Sequence, residues 1–282
     1  MTKIVAIIPT FNEPSLIRDC IVSLCSQAEV PDIVVGNAGD PLEQDVLQNA
    51  IEVRVAATEF WTGQVIAALE EALKLNPTHI LLCNADTVLG EGSLSILLGV
   101  ADGTRKRVAA SPAYEPMPNG EPGDTLYTDQ LSLGFLLYGK ISKRWATHPS
   151  RPTGAPFTTQ LIGGQGVLIP TEAFQDAQFD RKLFPQYAAD HDFWLQLGRA
   201  GWQIFVCPDA VVTNHRGFNR QRKGSLGKTL RWRMTSEYSP ESWVIMRRLR
   251  QKHLGPIVGL ISTVIAFTMR WTLGFPKILR RS

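Results

Sequence analysis

The 282-residue sequence predicts a mostly parallel α/β sheet with flanking helices, followed by a basic helical tail. Three observations carry that expectation. Short apolar, β-branched runs alternate with amphipathic stretches, the rhythm of right-handed βαβ units. Polar clusters follow Pro9, Val35 and Cys83, at the strand ends where parallel sheets bind ligands. Charge is also split along the chain. Residues 1–215 carry 14 bases and 24 acids, net −10, whereas Arg216–Ser282 carry 15 Lys+Arg against Glu237 and Glu241, net +13. Two units are therefore expected, 1–217 and 218–282.

The elements follow in order. Lys3–Pro9 (KIVAIIP) is a continuous apolar run closed by proline, the pattern of a strand buried on both faces. After a polar turn, Ser15–Ala28 places Leu16, Ile17, Cys20, Ile21 and Leu24 at helical spacing. Asp32–Val35 and Val53–Ala56 read as strands around the small-residue turn Gly36–Pro41. Gly63–Leu75 is rich in strong helix formers. His79–Cys83 is a fourth strand, ending in Asn84-Ala85-Asp86-Thr87. Ala113–Phe157, with Pro, Gly, Tyr114, Tyr127, Phe135, Tyr138 and Trp145, reads as a functional loop region. Gly163–Pro170 resumes a strand. Phe193–Ala200 is a helix stopped by Gly201, and Gln203–Cys207 and Ala210–Thr213 are short strands leading to His215.

Composition narrows the class. An apolar fraction of 44% supports a substantial core. Met1–Val5 runs straight into the first strand, so no signal peptide is expected. Cys20, Cys25, Cys83 and Cys207 form no CxxC pair, so reduced thiols are expected rather than a disulfide framework or a zinc site.

Several residue types could carry chemistry. A carboxylate at a strand tip, such as Asp86, holds a hard cation with one or two protein oxygens while diphosphate and water complete its shell; an Asp there is also a common turn former. Asp190 could take a proton as a general base. Asp192 stands where a helix N-cap is expected. His215 at another strand end could be a metal ligand.

Taken as an ordered set, residues 3 to about 217 resemble the inverting family 2 glycosyltransferases of the GT-A fold. The matching text runs VAIIPTFNEPSLIRDCIVSLCSQ, DIVVGNAGD, WTGQVIAALEEAL, ILLCNADTVL, GGQGVLIP and FDRKLFPQYAADHDFWLQLGRAGWQIFVCPDAVVTNH. The resemblance implies transfer of a sugar from a UDP-, dTDP- or GDP-linked donor, assisted by Mg²⁺ or Mn²⁺. It implies that Pro9, Thr10, Phe11, Asn12 and Glu13 border the nucleotide with Asn37, Asp40, Gly63, Asn84 and Asp86. Asp86 would hold the metal, joined by His215, and Asp190 would be the catalytic base. Gly163, Gly164, Asp192 and Trp194 would border donor sugar and acceptor. The chain departs from the pattern at Gly36, where an Asp contacting the base is usual, and at Ala189, where an acidic residue is usual. Ile66 and Ala68 replace an Asn and a Gly, and the acidic pair is reduced to Asn84-Ala85-Asp86.

Leu254–Met269 holds 16 residues without a charge, below the ~20 needed to cross a bilayer. Arg247, Arg248, Arg250 and Lys252 precede it, and Lys277, Arg280 and Arg281 follow. This predicts an interfacial helix on an anionic membrane at its cytoplasmic face. Lys228–Trp232 reads as a basic amphipathic face. An uncharged apolar run serves nothing against phosphate, so nucleic acid is not an expected partner. A lipid-linked or polysaccharide acceptor and a homodimer are. A buried C-terminal helix is the plainer alternative for the tail. A silent binding or scaffold protein and a sugar nucleotidyltransferase are the alternatives for function; the latter would carry a Gly-rich, basic signature where Thr10-Phe11-Asn12-Glu13 stands.

Overall fold

In a computed structural model, which describes residues 2–116, 122–127, 129–131, 141–143, 154–214, 231–232, 234–236, 239 and 242–279, the first apolar run is strand β1 (Ile4–Thr10), buried along its whole length. It is followed by α1 (Pro14–Cys25), β2 (Asp32–Asn37), α2 (Gln44–Leu47), β3 (Ile51–Arg54), α3 (Trp61–Lys74) and β4 (His79–Leu82). Next come β5 (Thr87–Leu89), α4 (Ser93–Leu98), β6 (Arg107–Ala110), β7 (Ala113–Pro116), β8 (Pro122–Tyr127), β9 (Asp129–Leu131) and β10 (Ile141–Lys143). The rest is β11 (Phe157–Thr159), β12 (Val167–Pro170), α5 (Ala173–Asp176), α6 (Ala189–Arg199), β13 (Gln203–Val206), β14 (Val212–Asn214), α7 (Trp243–Leu254) and α8 (Pro256–Leu279).

The central sheet has eight strands in the order β11-β13-β6-β12-β4-β1-β2-β3. The half β4-β1-β2-β3 is parallel, as is the β6–β13 pair. Strand β12 runs antiparallel to both of its neighbours, and β11 runs antiparallel to β13. A sheet β5-β14-β7-β8 and a ribbon β9–β10 accompany it.

Alternation along β1 divides the core into two layers. Val5 and Ile7 join α3 and α6 on one face through Val65, Ala68, Phe193 and Trp194. Ile4, Ala6 and Ile8 join α1 and α4 on the other through Ile17, Ile21, Leu24 and Leu94. Burying each such aliphatic side chain contributes roughly 1.5–3 kcal/mol, so β1 is the spine on which the sheet edge is hung.

The tail begins as part of this core. Ile245 and Leu249 of α7 are buried in the α3–α6 layer. Helix α8 folds back on α7: Trp243 meets Phe267 edge-on at 5.2 Å. Gly259 lies so close to α7 that a Cβ there would sit 2.5 Å from the Gln251 backbone nitrogen. Gly259, Ser262, Thr263 and Ala266 form the buried side of α8, while Ile257, Val258, Leu260, Ile261 and Val264 are exposed. Among the described residues no helix is long and apolar enough to cross a membrane.

Candidate functional site

The C-terminal ends of β1, β2 and β4 meet at one edge of the sheet. At the end of β1, Asn12 adopts φ 53°, in the left-handed region that Asn tolerates better than most side chains. Its Oδ1 accepts the Asp40 N–H at 2.7 Å, joining the β1 turn to the β2 turn. Gly39 is needed at that junction, because a Cβ there would lie 2.3 Å from Asn12 Oδ1. Pro9 and Thr10 pair with Gly36 and Asn37. Phe11 is half exposed at the lip, and Glu13 precedes α1.

Asn37 is fully buried and organises the loop beyond it. Its Nδ2 donates to the Asp40 carbonyl at 2.7 Å and to Glu52 Oε1 at 2.6 Å, and its Oδ1 accepts the Gly39 N–H at 2.7 Å. Both amide hydrogens are thereby used within the protein, which makes Asn37 a support of the pocket wall rather than an open contact. Sequence reasoning missed Glu52, whose carboxylate also accepts the Leu42 N–H at 3.3 Å. Gly36 has a steric reason of its own: a Cβ would lie 2.3 Å from the Gln64 carbonyl oxygen of α3.

At the tip of β4 a tight turn presents Asn84 and Asp86. The Asn84 N–H donates to Thr87 Oγ1 at 3.1 Å, and the Thr87 N–H returns to the Asn84 carbonyl at 3.1 Å. Asn84 Oδ1 accepts the indole N–H of Trp61, the first residue of α3, at 2.8 Å. Asp86 is half-buried. Behind the turn, the Cys20 thiol is pushed well above its usual range by a hydrogen bond with Cys83 and by burial. Both thiols are buried in the core.

The start of α3 also gathers the segment that carries Asp190. Thr62 N–H and Oγ1 donate to the carbonyls of Pro185 (3.1 Å) and Phe184 (2.6 Å), and Gln186 Oε1 accepts the Trp61 N–H at 3.2 Å. Ala188, at φ 65°, then turns the chain into α6. Asp190 is half-buried in the first turn of α6, with Oδ1 accepting the His191 N–H at 2.8 Å.

The loop before β12 completes the edge. At Gly163 an added Cβ would meet nothing within 4 Å, leaving open space, whereas Gly164 packs against Trp61 with room for little else. Thr10 and Gln165 are buried at 3% and 8% exposure. Thr10 Oγ1 and Gln165 Oε1 make no hydrogen bond among the described residues. A buried polar atom left unpaired costs about 1–3 kcal/mol. Gln165 carried no signal beyond its place in the Gly-Gly-Gln-Gly run.

Three expectations change. Asp192 does not face the site: it has no exposed surface and accepts from Lys252 Nζ (2.8 Å), His253 Nε2 (2.7 Å) and Gln196 Nε2 (2.8 Å). Nor does it cap α6, whose N-cap is Ala188. Trp194 is core, 1% exposed, with its indole N–H on the Ile162 carbonyl at 2.7 Å, so it supports the glycine loop from behind. Gly63 faces Glu59 and a groove of about 760 Å³ on the flank, lined by Ile66, Glu70, Phe179 and Arg181, rather than the sheet edge. His215 lies outside the described residues, as do Phe135, Tyr138 and Trp145 of the aromatic loop.

The donor set at the β4 tip suits a divalent cation of the Mg²⁺ or Mn²⁺ type. Among the described residues no group of three or more His, Cys, Asp or Glu side chains could hold a metal. A hard carboxylate can hold a cation that shares its shell with diphosphate and water, and Asp86 is the half-buried carboxylate at that tip.

Comparisons with known proteins agree with the fold. Residues 2–235 match the family described as glycosyltransferase like family 2. Two curated relatives, each an N-acetylglucosaminyl-diphospho-decaprenol L-rhamnosyltransferase of a Mycobacterium tuberculosis strain, are 25% identical over 161 residues. That match covers 51% of this chain and spans 48% of the relatives' length. Among solved structures, GalNAc-T7 with UDP, GalNAc and Mn²⁺ superposes with a TM-score of 0.61 at 12% identity, covering 96% of this chain and 56% of that one. Staphylococcus aureus TarS 1–349 gives 0.55 at 13% identity, covering 97% and 92%. Its complex with UDP gives 0.57 at 13%, covering 96% and 72%.

Proposed function

The chain belongs to the glycosyltransferase like family 2, and from that premise we propose that it transfers a sugar from a nucleoside-diphosphate donor to the hydroxyl of a lipid-linked acceptor, with inversion at the anomeric carbon. Its fold is GT-A-like, a mostly parallel sheet with helices on both faces. The observation that carries the proposal is the junction at the start of α3, where Trp61 and Thr62 tie the Asn84–Asp86 turn to the Phe184–Gln186 segment that leads into Asp190, with the Thr10–Asn12 turn on the neighbouring strand.

The roles follow from chemistry. The turns after β1 and β2 cradle the nucleotide, and Thr10 Oγ1 and Gln165 Oε1 receive hydrogen-bonding groups of the donor. Asp86 would hold Mg²⁺ or Mn²⁺, which would supply positive charge to offset the negative charge building on the departing diphosphate. Asp190 accepts the proton of the attacking hydroxyl, a contribution of typically 10²–10⁴-fold. Attack opposite the leaving group inverts the centre. Gly163 leaves room for sugar where any side chain would intrude. The curated relatives' names specify a sugar on a polyprenyl diphosphate, and that acceptor class is the one assigned to this chain.

A lipid-linked acceptor calls for a membrane surface. Helix α8 turns its small residues to α7 and its large apolar residues outward. The surrounding tail carries net +13, and each Lys or Arg near an anionic leaflet adds about 1 kcal/mol. The protein therefore docks peripherally on the cytoplasmic face, with α8 as its membrane-seeking element and α7 packed into the core.

Calorimetric titration of UDP, dTDP and GDP, with and without Mn²⁺, tests the assignment. Metal-dependent binding of one nucleotide by wild type, lost in Asp86→Ala, is expected. Absence of binding by wild type to all three contradicts it and favours a silent scaffold.

A further inference from the structure

Asn84 stands where the family pattern expects the first carboxylate of an acidic pair, and the structure fixes which atom of its amide meets the ligand. An indole N–H is only ever a donor. The Trp61 N–H, 2.8 Å from the Asn84 side chain, therefore requires the amide oxygen to face the indole. The NH₂ group then points the other way.

Trp61 cannot readily release it. Its ring meets Phe179 edge-on at 6.0 Å and is covered by Gly164, where a Cβ would come within 3.0 Å of the Trp61 Cζ2 atom. Its backbone N–H is held by Gln186. Asn84 is held in turn by the paired hydrogen bonds with Thr87. Flipping the amide would set two N–H groups against each other.

From this geometry we infer that Asn84 is an NH₂ donor to an oxygen of the donor nucleotide rather than a metal ligand, and that Trp61 is the positioning residue that enforces it. The positive end of the indole N–H dipole lies against Asn84 Oδ1, which disfavours a dication there. Asp86 is then the carboxylate that the β4 tip offers to the cation. Replacing Asn84 by the family's usual Asp removes a donor and adds an anion where a phosphate or hydroxyl oxygen is received.

The inference rests on the nucleotide-sugar reading, and one set of titrations separates the two. Wild type, Asn84→Asp, Asn84→Ala and Trp61→Phe are titrated with the nucleoside diphosphate that wild type binds, with and without Mn²⁺. Mn²⁺ binding to each protein is followed by electron paramagnetic resonance, and folding by thermal melting. Asn84→Asp and Asn84→Ala are expected to weaken nucleotide binding by about 10-fold or more whether or not Mn²⁺ is present, as loss of a hydrogen bond to a charged group does. Trp61→Phe, which keeps an aromatic ring but drops the N–H and part of the packed indole, should lose about 3- to 10-fold in nucleotide affinity while still melting cooperatively, at a somewhat lower temperature. A tighter Mn²⁺-dependent complex in Asn84→Asp overturns the inference, since it makes position 84 a metal ligand. Unchanged affinity in both Asn84→Ala and Trp61→Phe overturns it too. If wild type binds no nucleoside diphosphate, the nucleotide-sugar reading itself fails and takes this inference with it.

Discussion

Replacing Asp192 by Asn should cost the protein more stability than any other single charge change described here. The Asp192 carboxylate has no exposed surface and is held by Lys252 Nζ at 2.8 Å, His253 Nε2 at 2.7 Å and Gln196 Nε2 at 2.8 Å. The His253 side chain is 4% exposed and that of Lys252 28%. Removing one partner of a buried ion pair strands the other, at a cost of about 3–5 kcal/mol. In a protein of this size each kcal/mol lowers Tm by roughly 2–4 °C, so Asp192→Asn should melt about 6–20 °C below wild type. His253→Ala should approach that loss. Lys252→Met should cost less, because Lys252 remains partly hydrated and shares Asp180 at 3.3 Å. Replacing Asp192 and His253 together with apolar residues should cost less than the two single changes added, since neither buried polar group then loses its partner. Circular-dichroism melts of the four variants measure this. A Tm for Asp192→Asn within about 2 °C of wild type would refute the clamp between α6 and α7.

Further expectations rest on separate observations. Gly36→Ala should destabilise by about 1–3 kcal/mol in urea unfolding, because its Cβ would strike the Gln64 backbone; a neutral result contradicts that packing. Gly36→Asp, which restores the family's usual residue, should be worse. Burial lowers the His79 imidazole below its ordinary 6.5. The unfolded chain then takes up the proton first, so stability is full above about pH 6.5 and falls as pH drops through that value toward the folded pKa. His79→Gln should flatten that acid limb of Tm against pH, and a limb unchanged by the substitution assigns it to other groups. Ile257→Glu with Ile261→Glu should abolish co-sedimentation with phosphatidylglycerol vesicles while leaving nucleotide binding intact. Retained sedimentation contradicts membrane docking by α8, and conversion of a wild-type dimer to a monomer would assign that face to a second copy.

The parts of the fold that were legible in the sequence were those where one local pattern had a single meaning. KIVAIIP could only be a strand buried on both faces, and β1 is. The Asn84-Ala85-Asp86 turn was readable because an apolar strand ended just before it. The start of α6 was not, since Ala188 takes a left-handed φ without being Gly or Asn. Asp190 and Asp192 looked like one cluster in the sequence. Two residues apart on a helix they diverge by about 200°, and only Asp190 is left to the site. Gln196, one turn on, is a local partner of Asp192, but Lys252 and His253 lie 60 and 61 residues downstream, and no local pattern announces such a distance. Gly36 read as a missing recognition residue; its role depends on an α3 backbone that the sequence cannot position. The tail showed its charge and apolar content plainly. Which side of α8 would be buried was hidden, because small residues face α7 and large ones face outward, the reverse of an ordinary amphipathic helix.

The most direct test is turnover by Asp190→Asn. Nucleotide release from UDP-, dTDP- and GDP-sugars is measured with a polyprenyl-diphosphate-linked sugar acceptor, alongside the nucleotide Kd. The account predicts that kcat falls by about 10²–10⁴-fold while the Kd stays within about twofold of wild type, since the carboxylate acts on the acceptor and not on the nucleotide. Near-normal kcat in Asp190→Asn would contradict the account at its centre.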